Sequence, residues 1–290
     1  MDRPTQPRAP AADGLPPLAE IVRKHGLAAR KSLGQHFLFD LNLTRRIARA
    51  AGDIGTGTTI EVGPGPGGLT RGLLAEGAGH LVVVERDARA LPALEEIAAF
   101  WGRDRLTIVE GDALELDLAA IGTAPRRIVA NLPYNVGTPM LLAWLARPDA
   151  FETLVVMLQK EVVERLAAAP GSAAYGRLSV AAQWRWQVRR LFDVAPSAFS
   201  PPPAVVSAIA ELRPRAQPLA EADAKTLERV VAAAFGQRRK MLRQSLKALG
   251  GDPLALCEVA GIDATRRAET LSVEEFCALA RVVSARRANA

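Results

Sequence analysis

Thr58-Thr59-Ile60-Glu61-Val62-Gly63-Pro64-Gly65-Pro66-Gly67-Gly68 is the stretch that decides the fold. A short β-branched and apolar run, Thr58–Val62, reads as a buried strand. The glycines and prolines that follow force a tight loop, Gly63–Gly68, and Leu69–Glu76 then reads as a helix. Glycine permits the turn and lets backbone come close to a ligand. Gly63, Gly65 and Gly68 also carry the G-x-G-x-x-G spacing of a nucleotide-type site. The spacing alone decides little, because a strand–helix turn with no ligand can carry the same letters.

Outward from this loop the same alternation continues. His80–Glu85, Leu106–Glu110, Arg127–Ala130 and Thr153–Leu158 read as strands. Asp87–Ala99 (with Pro92 breaking or kinking it early), Val136–Ala146 and Lys160–Ala168 read as helices. Trp184–Val188 and Val205–Leu212 look like two closing strands. Strands alternating with helices predict an α/β fold, a mostly parallel Rossmann-like sheet with helices on both faces. Glu85 closes the second strand about twenty residues past the loop, where a carboxylate can accept from both hydroxyls of a ribose. Asp112, after the third strand, can accept from an exocyclic adenine amine; a plain turn aspartate is its bland alternative.

The fourth strand runs into Asn131-Leu132-Pro133-Tyr134, a more specific signal. The Asn131 side-chain oxygen and the Leu132 carbonyl can accept the two hydrogens of a target amine. Pro133 has no N–H and restrains the turn that presents that carbonyl. Tyr134 offers a ring face to a flipped base. At the end of a central strand, where open α/β sheets bind ligands, the alternative of a structural turn with a core tyrosine is weaker.

The flanks have a different character. Residues 1–17 read as a disordered tail without the apolar core of a secretory signal. Arg213–Pro218 reads as a linker. Asp223–Leu249, Pro253–Ala260 and Ser272–Ala285 read as the helices of a small all-α domain, with Ser272 and Glu275 forming a capping box. Residues 1–50 and 213–290 each carry a net charge of +5 and residues 51–212 carry −4. That suits a small-molecule site flanked by surfaces that hold a polyanion. Arg239, Arg243 and Lys247 fall at i, i+4 and i+8, with Arg238 and Lys240 beside them and no acid among them. On one helix such charges repel, which points to RNA phosphates, with Arg23, Lys24, Arg30 and Lys31 adding to them. A solvated helix face is the ordinary alternative. Two isolated cysteines, Cys257 and Cys277, imply neither a disulfide framework nor a metal site. No apolar run is long enough to span a bilayer, and a cytoplasmic monomer is expected.

Five stretches together resemble the ribosomal RNA adenine N6,N6-dimethyltransferases. They are Lys31–Leu38, Glu61–Gly68, Asn131–Tyr134, Phe199–Ser207 and Ala234–Leu246, the last similar to the C-terminal signature of the small-subunit enzymes. They span nearly the whole chain, Leu18 to about Val283. The resemblance implies a class I methyltransferase domain at 18–212, a helical RNA-binding domain at 218–290, and S-adenosylmethionine as cofactor. It implies dimethylation of two adjacent adenosines in 16S ribosomal RNA within the small subunit, with a part in small-subunit biogenesis. His36 and Leu38 would contact the cofactor, although many relatives carry Asn at His36. Gly63 would lie against its methionine part, Glu85 would hold its ribose and Asp112 its adenine. Asn131 would bind the target amine and touch the cofactor, and Tyr134 and Phe199 would sandwich the target adenine. No catalytic metal is implied. A large-subunit enzyme is one competing reading; Gln237–Lys240 argues against it. A nicotinamide oxidoreductase leaves Asn131–Tyr134 unexplained. A non-enzymatic assembly factor is disfavoured by intact Glu85, Asp112 and Asn131.

Overall fold

The computed structural model describes residues 13–30, 34–134 and 136–288. Lys31–Leu33 of the N-terminal signature, and the tail before Asp13, lie outside them. The first elements are α1 (Leu18–Lys24), β1 (Phe37–Leu38), α2 (Leu41–Arg49), β2 (Thr58–Val62), α3 (Gly68–Ala75) and β3 (Leu81–Glu85). Next come α4 (Leu91–Trp101), β4 (Leu106–Glu110), β5 (Arg126–Asn131), α5 (Gly137–Leu145), β6 (Thr153–Gln159), α6 (Lys160–Leu166) and α7 (Arg177–Arg185). The chain finishes with β7 (Trp186–Val194), β8 (Phe199–Ser200), β9 (Ser207–Pro214), α8 (Ala224–Gly236), α9 (Leu242–Ser245), α10 (Pro253–Val259) and α11 (Val273–Ala288).

Seven strands form one sheet in the order β4-β3-β2-β5-β6-β9-β7. β2 pairs in parallel with β3 and β5, β3 with β4, and β5 with β6. β9 returns antiparallel to β6. Every residue of β2 and β3 is buried, which is why their sequences are continuous apolar or β-branched runs rather than alternating ones. From β2 the chain builds outward through β3 and β4, then crosses back to β5 on the other flank. The C-terminal ends of β2 and β5 therefore border the crevice where successive connections diverge.

The chain packs as two compact units. One runs through Ala143 and takes in Asp149–Lys160 and Leu191–Leu212. Its core includes Leu73, Val83, Leu94, Ile97, Val129, Val155 and Ile209, all under 1% exposed. The other comprises Trp144–Pro148, Glu161–Arg190 and the chain from Arg213 onward. Residues 161–190, read from the sequence as part of the first domain, fall here because Tyr175 and Val180 share a core with Val230, Leu246 and Phe276.

Local chemistry sets most boundaries. Pro92 does not break α4 but sits in its first turn, where a missing N–H costs nothing. Ser272 and Glu275 exchange backbone N–H bonds at 3.2 and 2.7 Å, the expected capping box. The long helix expected at Asp223–Leu249 is instead α8, a turn at Gln237–Met241, α9 and a short 3-10 turn. Its buried stripe, Leu227, Val231 and Ala234, would on continuing bring Arg238 into the core. The break avoids that and still buries Leu242 and Leu246 completely. Trp184, expected in a strand, lies in the last turn of α7, and α1, α2 and α7 are helices that the reading of the sequence does not assign.

Candidate active site

The ends of β2, β3, β4 and β5 and the segment leading into β1 line one cavity in the first unit. Its floor is the glycine loop. Gly63 turns at φ +68°, and no atom lies within 4 Å of the place a Cβ would take, so the loop leaves open space for a ligand. Gly68 serves contact instead: a Cβ there would stand 2.2 Å from the Leu38 carbonyl. Only glycine lets β1 cross the start of α3 so closely.

Glu85, at the end of β3, is 4% exposed. Its Oε2 accepts from Gly65 N and its Oε1 from Asp87 N, both at 2.8 Å. Burial pushes its carboxyl above the ordinary range, against the pull of these bonds. Asp112 accepts from Leu114 N at 3.0 Å, a turn bond, and pairs with Arg86 at 3.2 Å. The turn role and a cavity-lining role thus coexist. Both acids line the cavity, as do His36, Leu38, Gly63, Asn131, Leu132, Pro133 and Tyr134.

Asn131 is the last residue of β5, and its Nδ2 donates to the His36 carbonyl at 3.1 Å. That fixes the amide and leaves Oδ1 as the atom to accept from a target amine. Leu132 N donates to Met157 O at 3.2 Å, and the Pro133 carbonyl accepts from Val136 N and Gly137 N, which starts α5. Tyr134 is half-buried; its hydroxyl shares a 2.5 Å hydrogen bond with Ser207 Oγ, and desolvation raises its pKa. The His36 ring lies 5.6 Å from that of Tyr134, tilted 32°, and its Nδ1 donates to the Pro201 carbonyl at 2.8 Å.

Phe199 is placed differently from the expectation. β8 pairs antiparallel with β1, setting Phe199 opposite Leu38, and the ring enters the core at 5% exposure. It meets the His36 ring edge-on at 6.3 Å and is not among the residues lining the cavity. Among the lining residues that the sequence left without a role, two make polar contacts that bear on the site. Glu61, in the middle of the motif, is buried with Thr70 Oγ1 donating to it at 2.6 Å. Burial, and secondarily the charge of Glu85, push its carboxyl up to about 8. Gln35 is the other. An acid inside a strand buried on both faces was the available signal for Glu61.

The cationic run of the second unit is not one helical face. Arg239 and Lys240 lie in the turn, Arg243 in α9 and Lys247 in the 3-10 turn, all exposed. Arg238 binds Glu269 at 3.1 Å and the Ala173 carbonyl at 2.6 Å, an intramolecular role. Among the described residues no group of three His, Cys, Asp or Glu is placed to hold a metal ion, and no helix is long and apolar enough to cross a membrane.

Comparison with known proteins agrees with this geometry. The family model for ribosomal RNA adenine dimethylase matches residues 26–284. The chain is 64% identical to the ribosomal RNA small subunit methyltransferase A of Rhodospirillum rubrum, over 94% of each chain. It is 63% identical to the protein of that name from Paramagnetospirillum magneticum, over 94% of this chain and 96% of the relative. In fold it is similar to a dimethyladenosine transferase from Plasmodium falciparum (TM-score 0.73, 24% identity, 84% of this chain and 96% of the other). It is also similar to the 23S rRNA methyltransferase ErmE (TM-score 0.67, 25% identity, 86% and 99%). With the glycine loop, both carboxylates and Asn131–Tyr134 gathered at one sheet edge, the chain belongs to the ribosomal RNA adenine dimethylase family.

Proposed function

We propose that the protein transfers methyl groups from S-adenosylmethionine to N6 of two adjacent adenosines in 16S ribosomal RNA, acting on the small subunit during its biogenesis. The observation that carries this reading is Asn131. Its amide is oriented by His36 in the cavity that Glu85 and Asp112 also line. The small-subunit relatives, identical at more than 60% over nearly the whole chain, favour that substrate over large-subunit RNA.

S-adenosylmethionine, when bound, supplies a methyl carbon made electrophilic by its sulfonium. The open space above Gly63 accommodates the methionine part, Glu85 accepts from the ribose hydroxyls and Asp112 from the adenine amine. Asn131 Oδ1 and the Leu132 carbonyl accept the two hydrogens of the target N6. Those bonds draw the lone pair out of the purine ring and aim it, so positioning replaces a strong base. Tyr134, its hydroxyl held by Ser207, presents a fixed ring to the base. Phe199 takes part as the second face of the target pocket only if the buried β8 edge shifts. Arg239, Lys240, Arg243 and Lys247 bind RNA phosphates, with site choice resting on the folded RNA. The protein works as a cytoplasmic monomer.

The test is transfer of labelled methyl to small subunits that lack adenine dimethylation, with the product nucleoside identified. Label in N6,N6-dimethyladenosine is the expected result. Cofactor binding with no labelled adenosine refutes the proposed reaction.

A further inference from the structure

Gln35 lines the cavity but has no role in the site as described so far, and its amide is bonded on both sides. Its Nε2 donates to Asp87 Oδ2 at 3.0 Å, and its Oε1 accepts from Arg30 N at 3.0 Å. Asp87 is 8% exposed and gripped from the other side by Arg89, whose Nε and Nη2 lie 2.9 and 2.6 Å from its two oxygens. Arg89 Nη1 also reaches the Ala28 carbonyl at 3.3 Å. The Arg89 bonds, aided by Gln35, hold the Asp87 carboxyl down to about 2, so it stays an ionised acceptor at any working pH.

The backbone N–H of Asp87 in turn donates to Glu85 Oε1 at 2.8 Å. On the other side the next residue, His36, gives its carbonyl to Asn131 Nδ2. Two adjacent cavity-lining residues are thus tied to different strands, Gln35 through Asp87 just past the end of β3 and His36 to Asn131 at the end of β5. β2 lies between those strands, so the sheet alone does not tie their loops together.

We infer that Gln35 is a positioning residue, which sets the spacing between the Glu85 wall and the Asn131 wall and so governs cofactor retention. It contacts no reacting atom. This rests on the reading that the cavity takes S-adenosylmethionine. An amide bond to a buried carboxylate is worth about tenfold in affinity at such a place.

The experiment compares the full-length wild type with Q35A, Q35E and E85Q. Cofactor affinity is measured by calorimetry, cofactor dissociation by competition with S-adenosylhomocysteine, and KM and kcat on undermethylated small subunits. Q35A and Q35E raise the cofactor Kd about tenfold through faster dissociation, with kcat at saturating cofactor within about twofold of wild type. Faster cofactor loss with kcat retained is a split that a merely structural role would not produce. An unchanged Kd in Q35A, with E85Q weakened, overturns the inference alone, as does a loss of kcat at saturating cofactor equal to the loss of affinity. A wild type that binds no S-adenosylmethionine refutes the underlying reading instead.

Discussion

Replacing Glu61 by glutamine removes a pH dependence that the structure builds into the unliganded protein. Glu61 sits in β2 at 1% exposure, accepts from the Thr70 hydroxyl, and shares its cavity with Glu85. Burial, then the Glu85 charge, move its carboxyl from 4.5 to about 8. The folded state therefore keeps a proton that the unfolded chain releases above 4.5. Between those values stability falls as pH rises, at about 1.4 kcal/mol per unit, and levels off above pH 8. From pH 6 to pH 8 the loss is about 2 kcal/mol, the slope flattening as the folded group begins to ionise. The glutamine of E61Q accepts the same Thr70 bond and never ionises, so the variant lacks this loss. Native-state hydrogen exchange of the β2 amides in the two proteins at pH 6, 7 and 8 reads it locally, without assuming that two units unfold together. Every other titrating group is common to both proteins and cancels in the difference. Parallel stability curves for wild type and E61Q would refute the reasoning.

Three further outcomes are expected. Asn131→Ala retains most cofactor affinity by calorimetry but loses methyl transfer by about 10²–10³-fold, the cost of a positioned acceptor; equal losses in both would remove its assigned role. Reversing Arg239 and Arg243 to glutamate weakens small-subunit binding and flattens its salt dependence by roughly one unit of log–log slope per lost phosphate contact; an unchanged slope counts against these residues as the RNA face. Gly72→Ala destabilises the first unit by about 1–3 kcal/mol, seen in its melting temperature, because a Cβ there would lie 2.6–2.8 Å from Thr44 of α2; a neutral effect would show that the α2–α3 contact yields.

The parts legible in the sequence are those whose burial leaves a pattern. β2 and β3 stand within a residue of their expected ends because a strand covered on both faces admits few polar residues. α2 (Leu41–Arg49) left a weaker mark: Asp40 caps it and Thr44, Ile47 and Ala48 form its buried face, but three arginines interrupt the apolar letters, and its close approach to Gly72 is a property of the pair rather than of either segment. The α8 break was hidden because local spacing favoured a continued helix, and only the cost of burying Arg238 forbids it. For the site, Asn131, Glu85 and Asp112 stand at strand ends that topology brings together. Phe199 shows the limit: its letters fit a stacking role, but pairing with β1 turns the ring inward. Gln35 was invisible for the same reason, since Asp87 is 52 residues away.

The charge asymmetry of the chain fits the proposed division of labour between cofactor and RNA. S-adenosylmethionine carries a net positive charge, and the cavity offered to it is lined by Glu85 and Asp112, with Glu61 beside them protonated below about pH 8. RNA is a polyanion, and the exposed cations of Gln237–Lys247 belong to the other unit. A phosphate-binding surface built around the cavity would neutralise the acids that hold the cofactor. Acids at the cavity would repel phosphates drawn to such a surface. Placing the two functions on separately packed units lets each keep its own field. Salt then acts on them unequally: it screens the exposed cations within a Debye length but barely reaches buried Glu85. RNA affinity should therefore fall steeply with ionic strength while cofactor affinity holds nearly constant. Parallel losses of the two would mean that one electrostatic surface serves both ligands.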